Sequence, residues 1–129
     1  MTLYLLDTHV LLWAASEPQR LPEATRALLD SSAADLMFST ASLWEVAIKR
    51  GLGREDFRVE PRQLRIGLLD NDYQELPIRG DHALAVDLLP PLHRDPFDRM
   101  LLAQAHVEGA TLVTADRLLA QYPGPIERI

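Results

Sequence analysis

Four acidic residues stand where a carboxylate could do chemistry. Asp7 ends a short apolar run, and Asp116 comes two residues after another one. Glu45 lies one to two turns into the helix predicted after a second apolar run. Asp98 lies at the start of the helix predicted before the last apolar run. Because the carboxyl ends of parallel strands share one edge of a sheet, we expect all four side chains to meet there.

Carboxylates gathered in one cleft repel one another, and this repulsion would raise their pKa values. A divalent cation removes the penalty, and hard carboxylate oxygens suit Mg²⁺ or Mn²⁺. One or two such ions can orient and deprotonate a water molecule and stabilise the leaving oxygen of a phosphodiester. The predicted site is therefore a metal-assisted hydrolytic centre formed by Asp7, Glu45, Asp98 and Asp116.

These acids also have purely structural interpretations. Asp116 could cap the short helix that follows it, and Glu45 could pair with Lys49 one turn later. Asp95 fits the N-cap position of a helix that holds Asp98 in its first turn. The apolar neighbours of Glu45 favour a functional role, because a carboxylate inside a buried helix needs a partner or a ligand.

The four histidines are less informative than the acids. His9 is expected beside the first strand-end carboxylate, where it could hydrogen-bond or touch a substrate. His82 and His106 are expected on the surface or on a helix face. His93 opens a His-x-Asp spacing found in non-haem iron sites. The helical pattern around it, without a second well-placed histidine, argues against such a site.

Short apolar runs alternate with helical segments along the chain. The predicted strands are residues 3–6, 36–39, 75–78 and 111–114. The predicted helices cover residues 10–15, 22–29, 41–50, 61–69 and 81–89, a stretch that ends at Gly109, and residues 117–121. Gly51 is expected in a left-handed C-terminal position, followed by a charged loop over 51–60. Alternating strands and helices predict an α/β fold in one domain, 1–129, with helices on both faces of a parallel sheet.

Composition excludes several other classes of protein. The 129 residues are 47% hydrophobic and 25% charged, which argues against general disorder. A net charge of −6 argues against coating nucleic acid through bulk positive charge. The sequence has no cysteine, which excludes disulfides, thiolate nucleophiles and cysteine-based metal sites. No basic residue precedes Arg20 and no apolar stretch approaches the ~20 residues of a membrane span, so we expect a cytoplasmic protein without a membrane partner.

Four segments resemble the motifs of PIN-domain ribonucleases, and specifically of VapC-type toxins from type II toxin–antitoxin pairs. They are residues 5–13, 39–49, 93–105 and 112–116, which read LLDTHVLLW, STASLWEVAIK, HRDPFDRMLLAQA and LVTAD. Each segment alone is a weak signal, but four in the family's order, with its acids in place, form a specific one. The likeness is weakest over 51–75, where substrate choice could lie.

The resemblance implies a three-layer α/β/α sandwich around a short parallel sheet. It implies an acidic Mg²⁺ or Mn²⁺ pocket made by Asp7, Glu45, Asp98 and Asp116, and endonucleolytic cleavage of RNA. By the same likeness Asp95 and Arg99 organise a helix start. Roles in bracing the acids or holding metal-bound waters are implied for Thr8, Ser39 and Thr114.

The resemblance also implies a homodimer and a small VapB-like antitoxin that docks across the pocket. Leu11, Leu12 and Trp13 are candidates for an exposed dimer surface, although they could equally be core residues. A pocket of four carboxylates suits a bidentate guanidinium, so we expect the antitoxin to carry an arginine that enters it.

Three other functions compete with this interpretation. A haloacid-dehalogenase type phosphatase would need a second acid where the chain has His9. A receiver-type phospho-acceptor would need an acidic pair near the first strand and a late strand-end lysine. A catalytically silent PIN-fold module that binds RNA or protein is the remaining alternative, and such a copy should have lost some of the acids.

Overall fold

Five parallel strands form the centre of the computed structural model, which describes residues 2–129. The strands are β1 (Thr2–Leu6), β2 (Ala34–Ser39), β3 (Gln74–Leu76), β4 (Thr111–Thr114) and β5 (Ile126–Arg128), in the order β3-β2-β1-β4-β5. The chain starts in the middle of the sheet, adds β2 and β3 on one side, and then crosses to the other. The carboxyl ends of β1 and β4 therefore flank the point where the strand order reverses, which is the usual position of a site in such sheets.

Helices cover both faces of the sheet. They are α1 (Thr8–Ser16), α2 (Glu23–Asp30), α3 (Thr40–Gly51), α4 (Pro61–Asp70), α5 (Gly80–Val86) and α6 (Pro96–Glu108). Neighbouring strand residues point to opposite sides. Leu5 packs in a core cluster with residues of α6, while Leu6 packs in a second cluster with residues of α1, α3 and α4. The predicted three-layer α/β/α arrangement is confirmed.

Several predicted boundaries were wrong. Gly51 remains inside α3, and the left-handed residue is Gly53 with φ 76°, whose N–H donates to the carbonyl of Arg50. The third strand ends at Leu76 instead of residue 78, and α5 stops at Val86. The predicted helix 117–121 is only a single 3₁₀ turn, Leu119–Gln121, and β5 was not predicted. Each of these elements is short, and pairing or packing with distant residues decides its length.

The N-terminal apolar residues belong to the interior. Leu11 and Leu12 are buried in the core and Trp13 is half-buried, so the first two cannot form an exposed dimer surface. The apolar face of α1 is turned towards the sheet, where it covers Leu6. Among residues 2–129, none of the helices combines the length and the apolar character that crossing a membrane would require.

Candidate metal and catalytic centre

Asp7 joins the end of β1 to the start of α1 and to β4. One oxygen, Oδ1, accepts the backbone N–H groups of His9 at 2.9 Å and Val10 at 3.3 Å, so Asp7 is the N-cap of α1. The other, Oδ2, accepts the hydroxyl of Thr114. Burial raises the pKa of Asp7, against the opposing effect of these hydrogen bonds. The carboxylate is thus fixed in orientation at the switch point of the sheet.

Glu45 is a carboxylate inside the protein with one unsatisfied oxygen. It is 2% exposed on α3, and the ammonium of Lys49 lies 2.5 Å from Oε2. The predicted pairing with Lys49 is therefore present. Lys49 also lies 3.8 Å from Asp95, so its charge is shared. Oε1 of Glu45 has no hydrogen-bond partner. A buried polar atom without a partner is costly, and a ligand would remove that cost.

Asp98 and Asp116 face each other across His93. Nε2 of His93 lies 3.1 Å from Oδ2 of Asp98 and 3.2 Å from Oδ2 of Asp116, and these three atoms lie within 4.8 Å of one another. Oδ1 of Asp116 accepts the N–H groups of Leu118 at 2.8 Å and Leu119 at 3.0 Å, as a cap does. Burial raises the pKa of Asp116, but hydrogen bonds from Leu119 and His93 outweigh it and lower the pKa.

The charge of this cluster is poorly balanced. The pKa of Asp98 is raised to about 8, first by burial and then by the charges of neighbouring carboxylates. Those carboxylates are Asp95, Asp7, Glu45 and Asp116. Three of the predicted acids thus raise the pKa of the fourth, Asp98. The expected rise in pKa is found at Asp7 and Asp98, whereas the pKa of Asp116 is lowered. Lys49, half-buried beside Glu45, supplies one positive charge against them.

Two further residues hold the start of α6. Asp95 is its N-cap, since Oδ1 accepts the N–H groups of Phe97 at 2.8 Å and Asp98 at 3.2 Å. Arg99 donates to the carbonyls of Val86 and Pro90, both at 3.1 Å. These contacts fix the segment before α6 and, with it, the direction of the Asp98 side chain. The supporting role expected for both residues is confirmed.

The three expected hydroxyl residues differ in their contacts. Thr114 donates to Asp7. Thr8 donates to the hydroxyl of Ser42 at 2.9 Å, and Ser39 accepts the N–H of Ala41 at 3.0 Å as the N-cap of α3. Thr114 therefore braces an acid, whereas Thr8 links α1 to α3 and Ser39 stabilises the start of α3.

The structure agrees with some of the predicted histidine positions and differs from others. His82 is fully buried, so the expected surface position was wrong, whereas His106 is exposed. The ring of His9 bonds to Asp56 at 3.2 Å, although its backbone N–H does reach Asp7. His93 was set aside and yet lies at the centre of the cluster. The N-cap at Asp95 could have predicted this position, because a chain that enters a helix at its N-cap brings the preceding residues close to the first turn of α6.

The residues present fit a hard divalent cation. The candidate ligands are carboxylate oxygens, which magnesium and manganese prefer. One of them, Oε1 of Glu45, is buried without a partner, and burial together with neighbouring carboxylates raises the pKa of Asp98, an effect that a bound cation would oppose. Asp7, Glu45, Asp98 and Asp116 are therefore the residues that could hold one or two ions.

The chain was compared with family models, curated proteins and solved structures, and the three results agree with one another. The PIN-domain family model matches residues 4–125. Ribonuclease VapC22 of Mycobacterium tuberculosis is 32% identical over 136 residues, which covers 97% of this chain and 95% of that protein. VapBC2 from Rickettsia felis, solved with a promoter DNA fragment, has a TM-score of 0.72 at 15% identity, covering 98% of both chains. DNA-bound VapBC from Salmonella typhimurium has a TM-score of 0.68 at 20% identity, covering 99% of this chain and 98% of that one. At these identities the two structures show a shared fold.

Proposed function

The chain belongs to the PIN-domain family, and we propose that it is a metal-dependent endoribonuclease, the toxin of a VapBC-type pair. One observation carries the proposal. Asp7, Glu45 and Asp116 lie close enough to Asp98 for their charges to raise its pKa, at the reversal point of a parallel sheet. The relative that is named a ribonuclease matches nearly the whole chain, which supports the same activity here.

The proposed cofactor is Mg²⁺ or Mn²⁺, held by the four acids. When bound, it supplies activation of water and neutralisation of charge on a phosphodiester. The protein's part is to hold the ligands in place before the substrate arrives. Thr114 and the first turn of α1 fix Asp7, while Lys49 fixes one oxygen of Glu45 and leaves the other available. Asp116 is fixed through Oδ1, so its Oδ2 remains directed at the cluster.

The activity is tested with purified protein, a panel of structured RNAs and millimolar Mg²⁺ or Mn²⁺. Wild-type protein should cleave RNA only with the cation present. Asp7→Asn should abolish cleavage, because it is nearly isosteric but removes a charge that neutralises the metal. Asp70→Asn, an exposed change at the end of α4, is the matched control and should cleave as the wild type does. Cleavage by Asp7→Asn at the wild-type rate would refute the role of Asp7.

The proposed homodimer needs a different surface from the one first expected. Trp44, Ile48 and Leu52 lie four residues apart along α3 and are 60%, 39% and 75% exposed. Leu84 and Leu88 are 75% and 84% exposed in and after α5. Clustered exposed apolar side chains mark interaction surfaces. A Trp44→Glu, Leu52→Glu double variant should sediment as a monomer, whereas Ile66→Glu, a change at another exposed apolar residue, should not alter the mass. A dimeric double variant would move the interface elsewhere.

The proposed partner is a small VapB-like antitoxin with an arginine that enters the acidic pocket. A guanidinium would satisfy carboxylates that lack a positive neighbour, and it would compete with the cation. Inhibition should therefore weaken as Mg²⁺ or Mn²⁺ rises, and an antitoxin with that arginine changed to alanine should bind without inhibiting. Full inhibition by the altered antitoxin would show that it acts by covering the cleft.

A further inference from the structure

The imidazole of His93 is held from both sides. Its Nδ1 accepts the backbone N–H of Asp95 at 3.1 Å, while Nε2 faces the carboxylates of Asp98 and Asp116. The backbone N–H of His93 itself donates to the hydroxyl of Tyr122 at 2.7 Å. The side chain is 12% exposed. The ring is therefore positioned by the turn that precedes α6, and its orientation towards the two acids is built into the fold.

The bond from Asp95 determines which ring nitrogen carries the hydrogen. A backbone N–H can only donate, so Nδ1 must offer its lone pair and the hydrogen resides on Nε2. That N–H donates to Oδ2 of Asp116, and Oδ2 of Asp98 lies 3.1 Å from the same nitrogen. Histidines that ligate metals show the opposite arrangement, in which the second nitrogen donates its own N–H to a carboxylate or a carbonyl. Nε2 of His93 thus has a hydrogen where a ligand would need a lone pair.

We propose that His93 is a positioning residue that the cation displaces: its Nε2–H donates to Asp116, beside Asp98, in the cation-free protein and thereby weakens cation binding. The inference rests on the proposed function, since it takes Asp98 and Asp116 as cation ligands. Oδ2 of Asp116 accepts the Nε2–H at 3.2 Å and Oδ2 of Asp98 lies 3.1 Å from the same nitrogen, so a cation that binds these two oxygens must displace the ring. His93 therefore sets the cation concentration at which the site fills, and it is not itself a ligand.

Affinity for Mn²⁺ tests the direction of the effect. Calorimetric titration of chelator-treated protein with Mn²⁺ should give a Kd about tenfold lower for His93→Ala than for the wild type, because the cation no longer displaces a hydrogen bond to charged groups. His106→Ala, which changes an exposed histidine near the other end of α6, should leave the Kd unchanged. An unchanged or higher Kd for His93→Ala would overturn the inference.

Two measurements on the wild type need no substitution and so do not depend on the variant folding. In the cation-free protein, ¹⁵N NMR of the histidine rings should show the hydrogen of His93 on Nε2. Pulsed EPR of the Mn²⁺-loaded protein should show no directly bonded nitrogen. A hydrogen on Nδ1 would remove the Nε2–H donor, and a nitrogen coupling that disappears in His93→Ala would show that His93 ligates the cation. Either result would overturn the inference.

The outcomes also separate this inference from the proposed function. A wild type that neither binds Mn²⁺ nor cleaves RNA would refute the proposed function, and the displacement model with it. A wild type that does both, beside a His93→Ala variant with unaltered Mn²⁺ affinity, would refute the role of His93 alone.

Discussion

Helix α6 carries a carboxylate beside a histidine at each end, and the two clusters differ in how their charge is balanced. At the C-terminal end, Glu108 accepts Nε2 of buried His82 at 2.9 Å and the guanidinium of Arg79 at 2.5 Å. These two hydrogen bonds lower the pKa of Glu108. At the N-terminal end, Oδ2 of Asp98 lies 3.1 Å from Nε2 of His93, which donates to Asp116 instead, and the pKa of Asp98 is raised to about 8.

The helix dipole alone would lower the pKa of Asp98 and raise the pKa of Glu108, the opposite of what is found. A helix N-terminus stabilises a negative charge, by about 0.3–1 kcal/mol, and a C-terminus destabilises one. Burial and the neighbouring carboxylates outweigh that effect at Asp98, while Arg79 outweighs it at Glu108. A histidine–carboxylate pair is therefore not by itself a sign of function. The cluster at Glu108 is complete and structural, whereas the cluster at Asp98 lacks positive charge that a cation would supply.

The strongest test exchanges one carboxylate in each cluster. Asp98→Asn should lower the rate of RNA cleavage by at least about a hundredfold, as losing a preorganised electrostatic contact does. Glu108→Gln should cleave normally but unfold more easily by about 1 kcal/mol, because buried His82 loses a charged acceptor. Cleavage rates and urea unfolding of both variants check this. Equal losses of activity would abolish the distinction between the clusters.

Cation binding should stabilise the protein through the cluster at Asp98 and not through the cluster at Glu108. At 100-fold over its Kd, a cation that binds the native state alone adds about 2.7 kcal/mol to the free energy of unfolding. Melting temperatures with Mn²⁺ and with EDTA should therefore differ for the wild type and for Glu108→Gln. The double variant Glu45→Gln, Asp116→Asn should melt identically in both. If that variant still responds to Mn²⁺, the cation binds elsewhere.

Without a cation, Asp98 and Glu108 should make stability depend on pH in opposite directions. The raised pKa of Asp98 means that the folded protein binds more protons than the unfolded chain between about pH 4 and 8, so Asp98 makes stability fall as pH rises through that window. The lowered pKa of Glu108 contributes stability above the ordinary glutamate range, and this is lost as pH falls below it. Urea unfolding from pH 5 to 8 in EDTA should show a shallower decline for Asp98→Asn than for the wild type. Parallel curves would contradict the assigned pKa.

The smallest effect is expected from removing the positive charge of the balanced cluster. Arg79→Met should raise the pKa of Glu108 towards its ordinary value and change the free energy of unfolding only slightly, because Arg79 is exposed and its charge is screened by solvent. ¹³C NMR of the Glu108 carboxyl measures the pKa directly. The Mn²⁺ affinity should not change, and a change would mean that the two ends of α6 are coupled.

The sheet and the four acids could be predicted from the sequence because both depend on local patterns. A short apolar run followed by Asp7 predicts a buried strand and a strand-end carboxylate, and both are present. The position of His82 was wrong because its burial depends on Glu108, 26 residues away. Strand β5 was missed since only Ile126 of its three residues is apolar, and pairing with β4 creates it. The contact of His93 with Asp116 likewise spans 23 residues, which no local pattern encodes.

Anomalous scattering from a crystal grown with Mn²⁺ tests the central claim most directly. We expect a manganese peak bonded to carboxylate oxygens of Asp98 and Asp116, beside Asp7 and Glu45, in protein that cleaves RNA. It predicts no peak at Glu108, where Arg79 and His82 already balance the charge. Active protein whose manganese lies away from Asp98 and Asp116 would contradict the claim that the charge imbalance around Asp98 marks the catalytic centre.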